Sequence, residues 1–102
     1  MIVVLAAAAE ADLESIGDFI ARDSPDRAVT YVRELREACD RLGDMPRAFP
    51  LIDGYRRSGV RKRVYDDYLI FYTVTEQVNV VHVIHGSRDW ERIVFSRKPR
   101  KR

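Results

Sequence analysis

The stretch that decides the fold runs from position 60 to 85: Val60-Arg61-Lys62-Arg63-Val64-Tyr65, Asp66-Asp67, Tyr68-Leu69-Ile70-Phe71-Tyr72-Thr73-Val74-Thr75, Glu76-Gln77, and Val78-Asn79-Val80-Val81-His82-Val83-Ile84-His85. Three runs rich in β-branched and aromatic residues are separated by only two polar residues each time. Such runs read as strands, and breaks this short permit only antiparallel hairpins. The middle run, residues 68–75, is apolar on both faces. Leu69 and Phe71 form one face and Ile70, Tyr72 and Val74 the other, so helices are expected over one side and something else over the second. The last run ends in His85-Gly86-Ser87-Arg88-Asp89-Trp90, a polar and charged cluster delivered to the end of a buried strand.

Upstream the period changes from two to 3.6. Ala9, Leu13, Ile16 and Ile20 recur at four, three and four, with Phe19 beside them, which predicts an amphipathic helix over residues 7–23. Glu10, Asp12, Glu14 and Asp18 are expected on its solvent side, and the acids of its first turns suit the positive end of the helix dipole. Ser24-Pro25-Asp26 then signals a second start: Ser caps free amides, Pro is pre-set for the first helical position and Asp favours the dipole. Ala28, Val32, Leu35, Cys39 and Leu42 carry that helix to Gly43, and a turn so short makes the pair an antiparallel hairpin. Residues 2–5 form a brief apolar run read as a first strand. Residues 45–58 hold two prolines and no period, and a loop of that length is often functional. The fold class is α+β: a short N-terminal strand and a two-helix hairpin packed on a small, mainly antiparallel sheet, in the order β-α-α-β-β-β. One domain is expected over residues 1–95, followed by a basic, flexible tail at 96–102.

Charge is distributed more tellingly than its net +2 indicates. Of 18 basic residues, five (Arg97, Lys98, Arg100, Lys101, Arg102) lie in the last six positions, leaving 13 against 16 acids elsewhere. Residues 6–53 hold 11 acids and 6 bases, while Arg56, Arg57, Arg61, Lys62 and Arg63 form a block without acids. Cys39 is the single cysteine, so neither an intrachain disulfide nor a cysteine metal cluster forms, and a reducing cytosol is the expected setting. The apolar start lacks a basic flank and runs into Glu10 and Asp12, too short for a membrane span and wrongly flanked for a signal peptide. No membrane association, metal or cofactor is expected.

The candidate chemistry lies in the sheet. His82 and His85 differ by three along a strand and so do not share a metal ion. His82, among valines, reads as a packed or edge residue. His85, beside Gly86 and Arg88, is a candidate general acid or base next to an anion clamp. Arg61 and Arg63 share a face; if Arg88 converges on them, three cations surround one spot suited to phosphate or carboxylate. The alternative for Arg61, Lys62 and Arg63 is a charged edge strand that resists aggregation. Asp89 and Trp90 complete the candidate recognition segment, with Trp90 either an interface anchor or a cover for the open end of the core. Tyr65, Tyr68, Phe71 and Tyr72 read as core and cross-strand packing.

These pieces in this order resemble the ParE branch of the RelE/ParE toxins of bacterial toxin–antitoxin modules. The carriers are Ala11-Asp12-Leu13-Glu14-Ser15-Ile16 with Phe19-Ile20-Ala21, Ser24-Pro25, Pro46, Phe49-Pro50, Gly59-Val60-Arg61, Tyr68-Leu69-Ile70-Phe71-Tyr72 and Val81-His82-Val83-Ile84-His85-Gly86-Ser87-Arg88-Asp89. The resemblance implies a helical hairpin on a small sheet and a toxin neutralised by a cognate ParD-like antitoxin in a hetero-oligomer that reaches DNA through the antitoxin. Family members divide: ParE-like members inhibit DNA gyrase, RelE-like members cleave mRNA on the ribosome. In the nuclease reading Arg61, Arg63 and Arg88 bind the scissile phosphate and His85 is the acid or base. The chain departs from the nuclease pattern at two places, with Leu69 where a catalytic arginine is expected and Val94-Phe95 where a tyrosine is. Leucine cannot hold a phosphate and phenylalanine has no hydroxyl. The resemblance therefore implies a gyrase inhibitor bound to partners through Arg61, Arg63, His85, Arg88, Asp89 and Trp90; a member of the fold that acts only as an interaction protein is the third reading.

Overall fold

The computed structural model describes residues 1–96, and the expected basic tail lies outside them from Arg97 onward. The three runs of the deciding stretch are strands β2 (Arg61–Tyr65), β3 (Tyr68–Val74) and β4 (Val78–His85), paired antiparallel in the order read from their two-residue breaks. Tyr65 lies opposite Tyr68, and Asp66 between them takes a left-handed φ of 55°, a conformation a short polar side chain tolerates better than most. Strand β1 (Val3–Leu5) lies parallel to β4, pairing Val3 with Val78 and Leu5 with Val80, so the sheet order is β1-β4-β3-β2. A parallel neighbour needs a crossover, and the helical hairpin supplies it.

The hairpin consists of α1 (Ala7–Ala21) and α2 (Pro25–Asp40). Ser24 Oγ accepts the Arg27 N–H at 3.2 Å and Pro25 occupies the first turn, as the start signal predicts. Helix α1 has no such cap; the Ala6 N–H is instead donated to the Val80 carbonyl at 2.8 Å, fastening the helix start to the sheet. After α2 the chain tightens into a 3-10 turn at Arg41–Gly43. Gly43 has a reason beyond stopping the helix. The N-terminal ammonium of Met1 donates to its carbonyl at 2.9 Å, and a Cβ there would collide with the Met1 carbonyl oxygen.

Two apolar clusters share the sheet. Leu13, Leu35, Cys39 and Leu42 from the helical layer meet Ile70, Tyr72, Val80 and Val83 on one face. Leu69, Phe71 and Ile84 point to the other, where Ile52, Val60, Tyr55, Trp90 and Phe95 cover them. The alternation read in β3 is therefore correct on both sides. The second cover, unspecified in the sequence, is α3 (Trp90–Phe95), a helix the sequence does not predict and of which only Trp90 falls in the expected recognition segment, together with part of the 45–58 loop. Leu51 bridges Arg61, and the Lys62 N–H donates to the Pro50 carbonyl at 3.1 Å.

Candidate functional site

Past Val80, β4 has no neighbour on its β1 side, because β1 stops at Leu5. Asp12 of α1 fills that gap. Its Oδ2 accepts the Val83 N–H at 2.9 Å and lies 2.7 Å from His82 Nδ1. This corrects the expectation that Asp12 lies with Glu10, Glu14 and Asp18 on the solvent face. A buried donor without a partner is costly, and a carboxylate on the helix above supplies the acceptor that β1 does not. His82 is thus an edge residue, tied to Asp12.

At the end of β4 the chain turns sharply. The Gly86 N–H donates to the Asp67 carbonyl at 2.9 Å and the Arg88 N–H to the His85 carbonyl at 3.1 Å, folding residues 85–88 over the end of the hairpin. The Ser87 N–H donates to His85 Nδ1 at 3.1 Å, with Ser87 Oγ 2.8 Å from the same atom. Because Nδ1 accepts, the neutral ring carries its proton on Nε2. The ring stands edge-on to Tyr68 with centroids 5.2 Å apart. His85, Ser87 and Arg88 line one side of a cavity of about 450 Å³ whose other walls are Asp12, Ile16, Phe19, Tyr68 and Val83. Phe19 is 64% exposed at its mouth. An apolar wall beside a guanidinium, a hydroxyl and an imidazole N–H fits an apolar side chain adjoining an acidic group.

The expected convergence of three arginines does not occur. Arg61 and Arg63 share the helix-side face of β2, but each guanidinium is directed to the chain's own carbonyls: Arg61 Nη1 donates to Phe49 O at 2.7 Å, and Arg63 Nη1 to Ala38 O at 2.8 Å. Arg63 also lies over the Phe49 and Tyr65 rings at 5.1 and 5.8 Å. The carbonyls near the end of α2 lack helical partners, and Arg63 satisfies one while locking the helix to the sheet. Neither arginine lines the cavity that holds Arg88. Asp89 is the cap of α3, its Oδ1 accepting the Arg92 N–H at 3.4 Å. Trp90 packs on Phe71 at 5.4 Å with Lys62 Nζ 5.0 Å above its ring, which makes it a cover for the open core.

The two positions that depart from the nuclease pattern are both occupied by packing. Leu69 is 8% exposed and sits with Phe71 and Ile84, while Phe95 stacks on Tyr55 at 3.7 Å with the rings 3° from parallel. Among the described residues no group of three histidine, cysteine or acidic side chains is placed to hold a metal ion, and no helix is long and apolar enough to cross a membrane.

A family model described as the ParE toxin of type II toxin–antitoxin systems, parDE, matches residues 3–90. Toxin ParE1 of Mycobacterium tuberculosis, in strains CDC 1551 / Oshkosh and H37Rv alike, is 38% identical over 92 residues, covering 87% of this chain and 93% of the relative. A solved structure titled "Chromosomal ParDE TA system from P. aeruginosa" superposes with a TM-score of 0.71 at 19% identity, over 83% of this chain and 95% of that one. At that identity the likeness speaks for the fold.

Proposed function

Since this chain belongs to the family of ParE toxins of type II toxin–antitoxin systems, we propose that it acts in the cytosol as a protein inhibitor of DNA gyrase, held silent by a ParD-like antitoxin. The toxin–antitoxin complex then meets DNA through the antitoxin. The observation that carries the choice of gyrase inhibitor over ribosome-dependent nuclease is the dispersal of the nuclease constellation. Arg61 and Arg63 are bonded to backbone carbonyls, Leu69 is packed in the core, and Arg88 faces a different cavity. Electrostatic stabilisation of a transferring phosphoryl group needs several donors aimed at one point, and these residues are not so aimed.

The cavity of His85, Ser87 and Arg88 is the proposed partner contact, with Phe19 at its mouth offering apolar area. An antitoxin segment pairing a leucine or aromatic anchor with an acidic residue matches that lining. Induction of the chain without antitoxin should stop DNA synthesis while protein synthesis continues, and the purified chain should block supercoiling by gyrase. Early collapse of translation, abolished by His85→Ala, would instead support the nuclease. An absence of growth arrest would leave an interaction protein of the same fold.

A further inference from the structure

The outer face of the helical hairpin, turned away from the sheet, carries a cleft of about 1070 Å³ along the crease between α1 and α2. Its floor is apolar, lined by Ala11, Gly17, Ala28 and Val32, and Val29 stands 64% exposed on the α2 bank. The two banks differ in charge. Glu10, Glu14 and Asp18 follow one another a turn apart on α1, whereas α2 presents Arg33, one turn from Val29, and Arg36. Arg36 is already held by Glu10 across the crease, at 2.6 and 3.3 Å. Glu14, Asp18 and Arg33 are exposed and form no ion pair among the described residues. None of the residues lining this cleft borders the cavity of His85, Ser87 and Arg88.

We infer that this face binds a second copy of the chain, two hairpins packing against each other about a two-fold axis that runs along the crease. The charge pattern selects this occupant. The helices are antiparallel and the pair of Glu10 with Arg36 sets their level, so Glu14, one turn along α1, is level with Val32 and Arg33, and Asp18 with Val29. A two-fold axis along the crease lays α1 of each copy on α2 of the other without changing those levels. Glu14 then meets Arg33 of the second copy, twice by symmetry, and each Val29 is turned to the apolar floor of the facing cleft. A partner of one sign of charge would match one bank and meet like charge on the other. Helix α1 has 15 residues and is about 23 Å long, which puts the face at the small end of specific interfaces, so the dimer forms in the micromolar range. The contact leaves the His85 cavity open and does not depend on which enzyme is the toxin's target.

Sedimentation velocity of the purified full chain, from low micromolar to a few hundred micromolar, tests this. The chain should pass from monomer to dimer over that range. Val29→Asp, at an exposed position, should weaken self-association at least about tenfold with an unchanged circular dichroism spectrum. Glu14→Arg and Arg33→Glu should each be monomeric alone, because each sets like charges against one another at both symmetric contacts. An equal mixture of the two should form a heterodimer about as tightly as the parent dimer, since every contact is again of opposite sign; mixing cannot rescue a variant that has merely lost its fold. The inference is overturned if the parent stays monomeric throughout the range, or if Val29→Asp or either charge variant alone dimerises like the parent. It is equally overturned if the mixture of the two charge variants stays monomeric.

Discussion

Asp12 shows how one side chain can be misread from sequence and still determine an edge. Its spacing with Glu10, Glu14 and Asp18 places it on a polar face, because periodicity records which residues are charged but not where a neighbouring strand ends. That ending, at Leu5, leaves the Val83 N–H for a carboxylate to accept. Asp12→Ala removes the acceptor of two hydrogen bonds at a partly buried site, so urea unfolding should register a loss of about 1–3 kcal/mol. Asp12→Asn, which keeps one acceptor, should lose less. Cys39 is the opposite case, legible from its place in the apolar stripe of α2. It is fully buried, and burial pushes its thiol from an ordinary 9.0 up to about 12. Below pH ~9 the thiol is protonated in both states and contributes nothing to the pH dependence; above it the unfolded chain releases a proton that the folded chain keeps. Stability from this group is therefore lost as pH rises from about 9 through about 12. Cys39→Ala should flatten that alkaline decline in chemical-denaturation midpoints measured from pH 8 to 11.

Among elements, α1, α2 and the β-hairpins were legible from their periods and from the short breaks between them. Ser24-Pro25 predicted the start of α2, and Ser24→Ala should cost about 1 kcal/mol in equilibrium unfolding. Helix α1 began where predicted but without a side-chain cap, since Ala6 occupies that position in extended backbone at φ −64° and ψ 159°. Ala6 is exposed, and Ala6→Asp should add a cap and a charge suited to the dipole, raising stability by about 0.5–1 kcal/mol in the same assay. Helix α3 was not legible. Six residues give fewer than two turns, too few to establish a period, and Asp89 reads as a site residue until its carboxylate is seen capping Arg92. The candidate site was legible in part for a related reason. Sequence order brings His85, Ser87 and Arg88 together locally, whereas the separation of Arg61 and Arg63 from Arg88 depends on which carbonyls lie across the sheet, Phe49 and Ala38, and no spacing rule reports that.

For the whole molecule, the consequence of β3 being apolar on both faces is that neither cover can leave independently. Ile70 and Tyr72 anchor the helical layer, and Leu69 and Phe71 anchor α3 and the 45–58 loop, through the same seven-residue strand. Removing either cover exposes alternate side chains of β3 and weakens the backbone ladder on which the other cover rests. Two natural probes report the two sides: Trp90 lies over Phe71 on one face, and Cys39 is buried in the cluster on the other. In a denaturant titration, the change of Trp90 fluorescence and the appearance of thiol reactivity at Cys39 under fast-exchange labelling should share one midpoint and one slope, the signature of a single cooperative unit. A Trp90 transition that precedes thiol exposure would mean that α3 undocks while the helical layer holds. In that case the second cluster, small and lined by the short α3, would not be energetically continuous with the first, and β3 would not couple the two faces.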